Sequence, residues 1–136
     1  MKRYRAVAQE HPWGGGAACV ASVLGVGYRQ IAAQLPAGKP PSIAALRGLL
    51  NRALADSGLA YEVDRPFIGD PDGLETGAIV VLDDGRTLMR AEDGWMDPVA
   101  GRIRPRLPGA VRQALVLAPG RAAPPRRRRS TMVKRS

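Results

Sequence analysis

Apolar residues follow two rhythms along this chain, and the change between them falls near Gly58. Residues 16 to 24, GAACVASVL, are small and apolar almost throughout, which predicts a helix buried on most sides. The GVG that follows stops it. Tyr28, Ile31 and Leu35 then recur at helical spacing until Pro36 ends a second, short helix, and AGKPP reads as a loop. Ser42 stands where an N-cap belongs, ahead of a third helix with Ile43, Leu46, Leu50 and Leu54 along one face. Gly58 is placed to close that helix.

After Gly58 the period shortens. LAYEV alternates, RPFIGDPDGLETG is a long polar loop, and AIVVL is a short strand apolar on both faces. DDG turns the chain into RTLMRA, EDG turns it into WMDP, and QALVLAP supplies a last strand. Helices first and an antiparallel sheet afterwards make an α+β layout. No internal repeat is visible.

Composition narrows the function classes. A chain of 136 residues is one domain with a real core, and with 4% aromatics that core must be mostly Ala, Val, Leu and Ile. One Cys excludes an internal disulfide, and together with one His it cannot furnish the four ligands of a structural zinc. No metal or other cofactor is expected. No apolar run has the length of a signal peptide's core or a membrane span, so the expectation is a soluble, cytoplasmic protein without a membrane partner.

The net charge of +9 is uneven: seven basic residues and no acid follow position 120, which leaves +2 for the rest. The expected organisation is a folded domain over residues 1–118 and a basic, flexible tail over 119–136. Arg126, Arg127, Arg128, Arg129, Lys134 and Arg135 are suited to phosphates, so nucleic acid or an acidic protein surface is one expected partner. No aromatic stands among them to stack on bases. A scaffold or virion-type structural protein that binds through this tail is one functional reading, and a merely solubilising tail is the plainer one.

The chemistry is concentrated in AQEHPWGGGAACVASVLG, where Gln9 precedes a glycine turn that runs straight into the apolar helix. A thiol peptidase of the papain type needs a Cys at such a helix start, where the dipole and a paired His lower its pKa. It also needs a Gln upstream to donate to the oxyanion, and a His from the sheet oriented by Asp or Asn. The stretch resembles the opening of the bacteriocin-processing, double-glycine-leader cysteine peptidases, and more nearly their small stand-alone relatives in bacteria and phages. Their opening is Gln, five residues, Cys-Gly and an Ala-rich helix. GRTLMRAEDGWMDPVAG resembles their Gly-His strand, turn and Trp-x-Asp ending, and RIRPRLPGAVRQALVLAP their closing segment. The likeness covers roughly residues 4 to 118.

That resemblance implies a papain-like fold, with the oxyanion donor at Gln9, the nucleophile position at Gly15, the base position at Arg86 and the orienting acid at Asp97. Glycine has nothing with which to attack a carbonyl, and arginine stays protonated near neutral pH. The implied protein is a peptidase shell without its chemistry, holding a peptide or protein segment. Trp13, Gly14, Gly16 and Trp95 would line its groove, the two tryptophans serving equally well as core caps. Arg86 would offer a fixed positive charge suited to a carboxylate, and Asp97 would serve only as a turn or strand-end residue, or pair with Arg86. The glycine triplet could instead cradle an anion, although no Lys-Ser/Thr follows to make it a nucleotide loop. A residual peptidase would have to use Cys19, one helical turn inside, with His11 as its base. The plainer readings are a core Cys and a solvated loop His.

Overall fold

Ten small residues without a charge among them form α1 (Gly15–Leu24), and every residue from Gly16 to Val23 is buried. The structure is a computed structural model that describes residues 4–119. Helix α1 ends as GVG foretells: Gly25 takes the left-handed conformation at φ 73°, and Val26 N–H donates back to the Ala21 carbonyl at 3.0 Å. Helix α2 (Tyr28–Ala32) buries Tyr28 and Ile31 and stops short of Leu35. Helix α3 (Ile43–Ala53) begins at Ser42, whose hydroxyl accepts from Ala45 N–H at 3.1 Å. It ends at Leu54 rather than at Gly58; the glycine, at φ 79°, instead completes the turn that leads into the sheet.

Six strands follow: β1 (Leu59–Asp64), β2 (Ile79–Leu82), β3 (Thr87–Ala91), β4 (Gly94–Asp97), β5 (Arg102–Arg104) and β6 (Val111–Pro119). They form one antiparallel sheet in the order β1-β6-β2-β3-β4-β5, so the fold is α+β with the apolar β2 near its centre. Ile79, Met89, Met96, Leu115 and Tyr61 pack with the three helices in the main core. The opposite face gathers Val80, Leu82, Leu88, Trp95 and Ala114 under Phe67, Leu74 and Leu107 from the loops. This second core explains why AIVVL is apolar at every position.

The outer edge of β1 is closed by α3. Asn51 accepts from Tyr61 N–H at 2.7 Å and donates to its carbonyl at 3.2 Å, while Arg47 donates to the same carbonyl at 2.9 Å. Side chains thus do for Tyr61 what a neighbouring strand would. Among the described residues no helix is long and apolar enough to cross a membrane.

Candidate functional site

The loop ahead of α1 is tied down from two sides. Gln9 N–H donates to the Pro98 carbonyl at 3.0 Å, which fastens the loop to the end of β4. On the other side the His11 ring stacks on Trp13 at 4.5 Å, His11 Nδ1 lies 2.9 Å from the Tyr28 hydroxyl, and Arg29 donates to Glu10 at 2.8 Å. Tyr28 lies so close over Gly14 that a Cβ there would collide with its hydroxyl. The loop therefore rests on α2, and α1 begins at Gly15 with no side-chain cap and no acid in its first turn.

A cavity of about 570 Å³ opens at this helix start. Gln9, Gly15, Arg86 and Asp97, scattered over nearly ninety positions of the chain, all line it. Trp13, Gly16, Pro40, Pro41, Ile43 and Leu46 make a largely apolar wall from the helical side; Asp84, Thr87, Arg112 and Gln113 make a polar wall from the sheet.

Within this frame several expectations change. Gln9 Nε2 donates to the carbonyls of His11 at 2.9 Å and Pro12 at 3.3 Å, so the amide holds its own loop instead of presenting a free donor. Arg86 does not pair with Asp97. Its guanidinium is bound to Asp84 at 2.8 Å, and Asp84 also accepts from Arg86 N–H at 3.0 Å. That contact lowers the Asp84 pKa and raises that of Arg86. Asp97, 5% exposed, accepts from Arg104 at 3.0 Å and from Val99 N–H at 3.0 Å. Asp97 thus fixes the turn after β4 and joins it to β5, the short strand that the sequence pattern missed.

Opposite Gly15 stands Thr87: a Cβ built on the glycine would lie 3.2 Å from Gln9 Oε1 and 3.6 Å from Thr87 Cβ. A hydroxyl is no more a base near neutral pH than a guanidinium is. Trp95 is not part of the groove. It is 0% exposed in the second core, beneath the Arg90 guanidinium at 5.0 Å, because β4 turns this position away from the helices. Gly14 is likewise buried against Tyr28 and not in the cavity wall, whereas Trp13 and Gly16 do line it.

Cys19 is 0% exposed in the main core. Burial, and secondarily the Asp97 charge, push its thiol up, away from the thiolate that attack requires. His11 is held by Trp13 and Tyr28 and does not line the cavity.

Arg112 and Gln113 escaped the sequence reading, and only a faint signal could have found them. Val81 pairs with Gln113 but Leu82 with Val111, so Arg112 is the extra residue of a β-bulge. A bulge re-aims side chains, and here two successive residues of β6 reach one cavity. Among the described residues no group of three or more His, Cys, Asp or Glu side chains is arranged to hold a metal ion. The tail residues Arg126, Arg127, Arg128, Arg129, Lys134 and Arg135 lie outside the described residues. No family model matches the chain, and no curated protein matches it.

Proposed function

We propose that this chain is a degenerate relative of the papain-like, bacteriocin-processing cysteine peptidases, and that its cavity holds an extended peptide or protein segment without cleaving it. One observation carries the reading. Four positions that the resemblance assigns to oxyanion donor, nucleophile, base and orienting acid line a single cavity at the start of a buried helix. Among the described residues no thiol lines the cavity: Gly15 and Thr87 face each other, and Cys19 is sealed in the core. What is left is a cleft with one apolar and one polar wall, which matches the two faces of an extended chain.

The test is binding of the full chain to an array of linear peptides, beside a Gly15→Phe variant whose ring fills the helix end of the cavity. Binding of a subset of peptides, weakened at least about tenfold in the variant, supports the reading. No binding, or binding indifferent to Gly15→Phe in a variant with unchanged circular dichroism, overturns it. Cleavage of any bound peptide would return the chain to the enzymes.

The confinement of seven basic residues to positions 121–135 favours a second activity for the same chain, phosphate binding by the tail. The cavity and the tail do not exclude each other.

A further inference from the structure

We propose that the peptide enters the cavity by its C-terminal end, and that Arg112 holds the terminal carboxylate. This rests on the reading that the cavity takes a peptide, and it adds which part of the peptide is recognised.

The charges in the cavity wall are not equivalent. Arg86 is committed to Asp84 at 2.8 Å, and Asp97 to Arg104 at 3.0 Å. Arg112 has no side-chain partner among the described residues, and it is exposed at the cavity wall as the extra residue of the β6 bulge. It is the wall's uncompensated cation, and a guanidinium fork matches a carboxylate in shape as well as in charge. Beside it, the Gln113 Oε1 atom is buried without a hydrogen-bond partner. A buried acceptor left alone is costly, and turning the Gln113 amide toward the cavity that its side chain lines would let an N–H of the occupant satisfy it. Across the cavity, α1 begins with Gly15 and Gly16 in the wall, no side-chain cap and no acid in its first turn. The positive end of that helix favours an anion in the same space.

A cation, an orphaned acceptor and an uncapped helix start therefore share one cavity. The last residue of a peptide presents the complement, a carboxylate beside its own amide N–H. A side-chain carboxylate of Asp or Glu brings the charge without an N–H at fixed spacing, and so fits Arg112 alone.

The experiment uses the full-length chain, labelled with nitrogen-15, and three equimolar mixtures of acetylated tetrapeptides. One mixture ends in a free carboxylate, one in a terminal amide, and one in a terminal amide with Asp as its last residue. The Gly15, Gly16 and Arg112 N–H signals are followed in titration. The free acids are expected to shift these signals and to bind at least about tenfold more tightly than either amide. The Arg112→Gln variant should bind acids and amides alike; it leaves untouched the backbone carbonyl that accepts from Phe67. Equal binding of acid and amide in the cavity overturns the carboxylate assignment while leaving the peptide groove in place. Asp-bearing amides that bind as well as the acids overturn the chain-end assignment. Discrimination that survives Arg112→Gln removes Arg112 from the role. Failure of all three mixtures to bind overturns this inference and the groove together.

Discussion

At the scale of single residues the decisive contrast is between Gly15 and Cys19, one helical turn apart. Gly15 opens on the cavity at a free helix start, and Cys19 is sealed beneath it. In the native protein Cys19 should stay unlabelled by an alkylating reagent until the chain is unfolded; rapid stoichiometric labelling would revive Cys19 as a nucleophile. Gly15→Cys should introduce a thiol that reacts fast and with a pKa below the ordinary value near 8.5, because the helix end stabilises thiolate. A pH profile of the alkylation rate of the folded Gly15→Cys variant measures the new thiol, and an ordinary pKa at position 15 would deny the helix end that role. Burial also links Cys19 to alkaline stability. Its folded pKa is raised, as is that of Tyr61, where burial acts first and Tyr4 adds to it. Groups raised in this way contribute stability that is whole below their unfolded pKa and lost as the pH climbs past it. Urea unfolding should therefore give a constant contribution from Cys19 below about pH 8.5 and a loss approaching about 1.4 kcal/mol per pH unit above it. Cys19→Ala should remove that slope until tyrosines begin to titrate near pH 10.

Elements show where local pattern is informative and where it stops. Helix α1, the Ser42 cap and the doubly apolar β2 were legible because each follows from its own residues, through burial, capping or alternation. Strand β5 was not, since RIR is too short and too charged to read as a strand without β4 beside it. Trp95 was misplaced for a related reason: motif adjacency to Asp97 says nothing about which face of the sheet a side chain takes. Arg112 depended on a register slip between two strands about thirty residues apart, which no single-strand pattern contains. The edge of β1 makes an element-level prediction. Tyr61 N–H has Asn51 as its partner, whereas Tyr61 C=O has both Asn51 and Arg47. Asn51→Ala should cost about 1–3 kcal/mol by leaving a part-buried N–H unpaired, and Arg47→Ala should cost less, about 0.5–1.5 kcal/mol. Urea midpoints of the two variants decide it, and equal losses would mean that the edge is held by packing.

For the whole molecule the charge balance separates two halves of the functional argument. Residues 4–119 carry twelve Lys and Arg against twelve Asp and Glu, so the described body is neutral, and the +9 resides in Lys2, Arg3 and the seven cations after position 120. A neutral body has no long-range pull on a polyanion, and its cavity must select by shape and by the local charge at Arg112. The tail has the reverse character: dense charge and nothing with which to read a base. If all seven tail cations meet phosphates, the affinity for duplex DNA should fall with a log–log salt slope of about −6. Deleting residues 121–136 should bring that slope to about zero through loss of binding, while the truncated chain keeps its peptide titration unchanged. Fluorescence anisotropy at several salt concentrations, run on both chains, measures the slope directly. A truncated protein that still bound DNA with a steep salt slope would move the polyanion site onto the body, where the neutral balance of residues 4–119 gives it no basis.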